Sequence, residues 1–150
     1  MTTNARAFVD TNILLRATVA QSPLHEEAKT LIGQQIEADV ELWISRQVIR
    51  EYIAQVTRPQ AFMRPMTADQ VIAQLWTMRA VFKIADETEA VTEQLLVLLQ
   101  AYPTGGKQVY DANVVATMLT YDIPTLLTTN VADMKRYADR ITLVSLEHVT

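Results

Sequence analysis

The chain has 150 residues and no cysteine, with 13 basic residues against 17 acidic ones for a formal charge of −4, and a hydrophobic fraction of 49%. That length and apolar content fit one domain with a single core, and the charge is not the footprint of a strong nonspecific nucleic-acid binder. The missing thiols exclude disulfides, thiolate metal ligands and a cysteine nucleophile, so any metal must be held by oxygen or by His25 and His148.

In chain order, Ala7-Phe8-Val9 reads as a buried strand, Asp10-Thr11-Asn12 stands at its carboxyl end, and Ile13-Leu14-Leu15 opens a helix. Ligands of open α/β sheets bind at that end of the strands, although Asp and Asn are also favoured helix caps. Ser22-Pro23 predicts a cap and a first-turn proline for a helix through Glu26, Ala28, Leu31 and Ile32. A strand over 42–45 leads into a helix beginning near Ser45, with Val48, Ile49, Tyr52, Ile53 and Val56 on its buried face. Glu51 falls off the centre of that face, where a solvated glutamate is the default. Arg58-Pro59 ends this helix and Arg64-Pro65 marks a further break.

Thr67-Ala68-Asp69-Gln70 predicts a capping box opening a helix through Val71, Ile72, Leu75 and Met78. A strand over 81–85 and a helix over about 87–101 follow, the helix stopping before Pro103-Thr104-Gly105-Gly106. In the next helix Asp111 shares a face with Val114, Val115, Met118 and Leu119. A carboxylate in an apolar stripe is expected to be paired, hydrogen bonded or bound to a metal, since burying it uncompensated is costly; the alternative is a first-turn aspartate at the helix's positive end. A strand over 125–128 runs into Thr129-Asn130-Val131-Ala132-Asp133, where Asn130 and Asp133 approximate a capping box, and a last strand covers 142–146. Strands alternating with helical stretches predict βαβ units around a parallel sheet of about five strands.

Several chemistries drop out. His25 beside Glu26 and Glu27, and His148 near the carboxyl end, are expected at the surface and lack the spacing of a zinc pair. Ser22, Ser45 and Ser145 sit in no nucleophile elbow, and Gly105-Gly106-Lys107 continues with Gln108 rather than Ser or Thr. The longest apolar run, Leu95-Leu96-Val97-Leu98-Leu99, is too short to span a bilayer, and Met1-Thr2-Thr3-Asn4 lacks the regions of a signal peptide, so a soluble cytoplasmic chain without membrane segments is expected. Hard oxygen ligands remain, from Asp10, Glu51, Asp111 and Asp133.

With these residues in place the chain resembles PIN-domain ribonucleases of the VapC type, the toxins of type II toxin-antitoxin pairs. The resemblance rests on Phe8-Val9-Asp10-Thr11-Asn12-Ile13-Leu14-Leu15-Arg16, on Ile44-Ser45-Arg46-Gln47-Val48-Ile49-Arg50-Glu51-Tyr52, on Tyr110-Asp111-Ala112-Asn113 with Ala116, and on Leu127-Thr128-Thr129-Asn130-Val131-Ala132-Asp133. It implies a three-layer α/β/α PIN-like fold over residues 1–150 that gathers Asp10, Glu51, Asp111 and Asp133 into one acidic catalytic pocket, with Asn12, Ser45, Thr129 and Asn130 in support. It further implies cleavage of RNA with Mg2+ or Mn2+, ions that prefer such ligands, with Asp10 and Asp111 as direct metal ligands and Glu51 and Asp133 as helpers. The partners it implies are an RNA substrate, an antitoxin that places an arginine among the acids, and a second copy in a homodimer.

Met134 stands where the family often has phenylalanine. Because the net charge is negative, a grip on RNA would come from local residues such as Arg16, Arg46, Arg50, Arg58, Arg64 and Lys107. Clustered carboxylates without metal are expected to raise one another's pKa. Competing readings are a ribonuclease H-like enzyme, whose acids come in a different order, and a haloacid dehalogenase-type phosphohydrolase, which would want aspartate where Asn12 stands. A noncatalytic RNA- or antitoxin-binding module, its acids serving only as caps, is the third.

Overall fold

The computed structural model describes residues 4–146; His148 lies outside them. Its sheet has five parallel strands in the order β3-β2-β1-β4-β5: β1 (Arg6–Val9), β2 (Glu41–Ser45), β3 (Lys83–Ala85), β4 (Thr125–Leu127) and β5 (Thr142–Val144). Phe8 faces Trp43 on one side and Leu126 on the other, and Leu126 in turn faces Leu143. Phe8, Val9, Ile44, Leu126 and Leu127 are fully buried. Ala7, Phe8 and Val9 point alternately to opposite faces and are equally buried, so helices must cover both faces, which makes the fold a three-layer α/β/α sandwich.

The helices are α1 (Thr11–Thr18), α2 (His25–Glu37), α3 (Arg46–Val56), α4 (Ala68–Val81), α5 (Glu89–Ala101), α6 (Gln108–Thr120) and the short α7 (Val131–Met134), which continues into a 3-10 turn over Lys135–Tyr137. From β1 the chain steps to β2 and β3 in one direction; from β3 it crosses back to β4 and β5 on the other side of β1. Right-handed crossovers therefore put α1 to α4 on one face and α5 to α7 on the other. The order reverses between β1 and β4, so a crevice opens at their carboxyl ends, the usual ligand position in such sheets.

Three helices start as their sequences predict. Asp10 precedes α1 and accepts from the Thr11 amide, Ser45 caps α3 through the Val48 amide, and Thr67 and Gln70 form the reciprocal capping box of α4. The Ser22-Pro23 start is corrected. Ser22 is buried and donates to the Val19 and Arg16 carbonyls, closing α1's exit turn, while Leu24 at φ 62 precedes α2 without a side-chain cap. The helix begins two residues later than Pro23 suggests because the serine's hydroxyl is already committed upstream. His25 is also not a plain surface residue: its side chain is 15% exposed and its Nδ1 lies 2.7 Å from the Arg16 carbonyl oxygen. Residues 81 and 82 belong to the end of α4, which shortens β3 to Lys83–Ala85, and β5 ends at Val144. Among the described residues, no helix is long and apolar enough to cross a membrane.

Candidate metal centre

The crevice between β1 and β4 is where the predicted acids meet. Asp10 leaves the end of β1 with its own amide still donating to the Leu127 carbonyl at 3.0 Å, so its position is set by the sheet itself. Its carboxylate accepts from the Thr11 amide at 2.9 Å, from the Thr128 hydroxyl at 2.8 Å and from the Asn12 amide at 3.3 Å. Burial pushes this carboxyl's pKa up; the Thr128 and Thr11 hydrogen bonds oppose that, and the nearby charge of Glu51 adds to it. Capping and site-building coincide here, since the same carboxylate caps α1 and faces the crevice.

Asn12 and Thr128 tie the two loops together. The Asn12 side-chain oxygen accepts from the Thr129 amide at 3.0 Å, and the Thr128 hydroxyl accepts from the Asn130 amide at 2.9 Å while donating to Asp10. Thr129 thus contributes its backbone, and Asn130 occupies the cap position of α7 without a side-chain cap bond. The sequence-predicted support at Ser45 takes a different form: its hydroxyl serves the first turn of α3.

Glu51 is half-buried on α3, where it accepts from the Thr11 hydroxyl at 2.7 Å and from the Gln47 amide at 2.8 Å. Gln47, absent from the sequence-based candidates, is buried and also donates to the Tyr110 carbonyl at 3.0 Å while accepting from Asn113 at 2.6 Å. One amide side chain therefore fixes the first turn of α6, and with it Asp111, against α3. Its only sequence signal is the spacing of four from Glu51, which puts both on one helix face.

Asp111 is half-buried, as its apolar stripe predicts, and its pKa is pushed up to about 6, first by burial and then by the charges of Asp10, Asp133 and Glu51, with Arg136 opposing. Its carboxylate makes no hydrogen bond within the chain among the described residues. Asp133 is exposed on α7. Arg136, another residue missed from sequence, is held near the acids by its bond to the Pro103 carbonyl at 2.8 Å.

Asp111 thus lies close enough to feel the charges of the other three carboxylates, and Asp10 that of Glu51. Among the described residues no three acidic or histidine side chains converge tightly enough to enclose an ion as they stand. The donor set nevertheless suits a hard divalent cation: it consists of carboxylate oxygens, and one of them, the half-buried Asp111, carries the repulsion that a cation relieves.

Three of the six basic candidates are engaged, while Arg58 and Arg64 have no ion pair among the described residues. Arg46 pairs with Asp86 at 3.0 Å and Arg50 with Glu87 at 2.7 Å, while Arg16 donates to the Pro23 carbonyl. Lys107, at the exposed start of α6, has no ion pair among the described residues.

The PIN domain family model matches residues 7–140, which spans all four acids. The chain belongs to the PIN-domain family. Solved structures share this PIN fold. VapBC2 from Rickettsia felis bound to a DNA fragment from their promoter is 18% identical, with 93% of this chain and 98% of that chain covered at a TM-score of 0.64. Mycobacterium tuberculosis VapC20, a sarcin-ricin loop cleaving toxin, is 20% identical over 80% of this chain and 86% of its own, at 0.62. A toxin-antitoxin complex from Klebsiella pneumoniae is 24% identical over 93% and 97%, at 0.60. No curated protein matches the sequence.

Proposed function

We propose that this PIN domain is a divalent-metal-dependent endoribonuclease, the toxin of a type II toxin-antitoxin pair. The observation that carries the reading is the half-buried Asp111, its pKa pushed up to about 6 beside Asp10, Asp133 and Glu51 at the sheet's switch point. Four acids from distant parts of the chain, placed where they repel one another, make a site that a cation completes. Likeness in fold to a toxin described as cleaving the sarcin-ricin loop, and to toxin-antitoxin complexes, supports the substrate class and the partner.

In this reading Asp10 and Asp111 hold Mg2+ or Mn2+, and Glu51 and Asp133 complete the site through bound water. Such an ion activates water and offsets charge developing on the phosphodiester. The chain's own contribution is placement. Thr128, Thr11 and Asn12 hold the Asp10 carboxylate in one orientation, Gln47 locks Glu51 to the first turn of α6, and Arg136 limits the repulsion at Asp111. Lys107 and the exposed arginines Arg46 and Arg50 grip the RNA backbone, the arginines once they leave Asp86 and Glu87. The chain acts as a single cytoplasmic domain, forms a homodimer and is silenced by an antitoxin whose arginine enters the acidic site, where a planar fork pairs with carboxylates.

Purified protein incubated with single-stranded and structured RNA should cut it with Mg2+ or Mn2+, and lose that activity with chelator, Asp10→Asn or Asp111→Asn. Cleavage that survives any of the three sinks the metal-nuclease reading. A neighbouring reading frame for a small DNA-binding protein supports the toxin assignment; RNA binding without cleavage supports a noncatalytic module instead.

A further inference from the structure

Between α1 and α3 lies a cleft of about 210 Å³ lined by Asn12, Leu15, Arg16, Gln55, Gln60 and Phe62, among others. Asn12 belongs to both places, lining the cleft and donating to the Asp10 carboxylate. The cleft continues from the acids along α1 and α3: Arg16 is four residues on from Asn12, and Gln55 four on from Glu51, so each pair shares a helix face. A spacing of four residues is about 6 Å of rise, a displacement within the span of a single nucleotide.

Its polar groups are unusually unspent. The Gln55 side-chain amide makes no hydrogen bond within the chain among the described residues. Gln60 spends its Nε2 on the Gln55 backbone carbonyl at 3.0 Å and leaves its side-chain oxygen open, and Arg16 spends only one guanidinium nitrogen, on the Pro23 carbonyl at 2.7 Å. Leu15 is buried and Phe62 half-buried, giving the cleft an apolar wall and a flat ring. A phosphate site would gather cations, and this one has a single arginine among amides and apolar groups. A few convergent hydrogen-bonding groups on apolar walls suit a flat heterocycle.

We propose that this cleft binds the nucleobase next to the cut phosphate, and that the base is guanine. The arginine fork matches the paired acceptors O6 and N7 of guanine, and the open oxygens of Gln60 and Gln55 accept from its N1–H and exocyclic amine. Adenine presents a donor where O6 would be, and pyrimidines lack N7. The proposal rests on the nuclease reading above and names the base recognised beside that site.

The test is nitrogen-15 NMR of the chain with chelator, titrated separately with guanosine, adenosine, cytidine and uridine monophosphates and with ribose 5-phosphate. Guanosine monophosphate should shift the side-chain amides of Gln55 and Gln60, and Gln55→Leu should weaken its binding about tenfold, the size of one lost base-edge contact. Phe62→Leu, which leaves the amides in place, should weaken it as well. Equal shifts from ribose 5-phosphate, or equal shifts from all four nucleotides, overturn the proposal. Mapping of RNA cut sites separates the two readings: guanosine shifts in a chain that cuts no RNA leave the cleft assignment standing and the nuclease reading fallen. Cutting with no guanine preference and no shifts does the reverse.

Discussion

Replacing Asp111 by asparagine should stabilise the metal-free protein at mildly alkaline pH and leave it unchanged in acid. The carboxyl rises from its ordinary 3.8 to about 6, mainly through burial and then through Asp10, Asp133 and Glu51. A carboxyl whose pKa is higher in the folded state binds its proton more tightly there. Its contribution to stability is therefore complete below about pH 4 and is lost as pH climbs through about 6. At 1.36 kcal/mol per tenfold change in protonation equilibrium, the full effect is about 3 kcal/mol. Solvent reaching the half-buried group screens this to about 1–2 kcal/mol, or very roughly 3–8 °C in Tm for a chain of this size. Thermal unfolding of both proteins with chelator at about pH 8 and again at about pH 4 measures the difference. Mg2+ should reverse the order at the higher pH, because only the wild type gains an ion. An Asp111→Asn protein less stable than wild type under chelation at the higher pH, or equally altered at both, refutes the electrostatic account.

Mg2+ binding near pH 6 should release protons, seen as a dependence of the calorimetric heat on buffer ionisation, and Asp111→Asn should abolish the release. Thr128→Val leaves the buried Asp10 oxygen and the Asn130 amide without their shared partner, so urea unfolding should show a loss of about 1–3 kcal/mol and RNA cleavage should fall further than stability explains. Gln47→Leu should cost about as much and should lower Mg2+ affinity, since α6 loses its tie to α3; an unchanged affinity removes Gln47 from the positioning role given above. Thr67→Ala, which breaks the capping box far from the acids, should lower stability by about 1 kcal/mol without touching cleavage rate.

What could be read from sequence was whatever local chemistry decides. Phe8 and Leu126 lie in short apolar runs that only a doubly covered strand accommodates, and Thr67 with Gln70 carries its own helix start. Asp111 could be seen in its stripe because one helix supplies both the charge and its apolar neighbours. Glu51 could not be weighed this way, because its partners Thr11 and Gln47 acquire meaning only once α1 packs on α3. Gln47 was invisible for the same reason: its four-residue spacing from Glu51 is common, and its bonds to Tyr110 and Asn113 reach more than sixty residues along the chain. Ser22 misled because a serine before proline has two local uses, and here its hydroxyl turns back to Val19.

The ladder that joins β1 to β4 does not stop at the last strand residue. The Asp10 amide binds the Leu127 carbonyl, and the Thr128 amide binds the Val144 carbonyl, so one wall of the crevice is made of further rungs of the sheet. Asp133, by contrast, rides on a helix of four residues. The two halves of the site therefore rest on different interactions: Asp10 is fixed by backbone hydrogen bonds of the sheet, while the short turn that carries Asp133 is fixed by the core packing of Met134 and Tyr137. A change in the core beneath Met134 would thus displace Asp133 while the sheet keeps the register of Asp10.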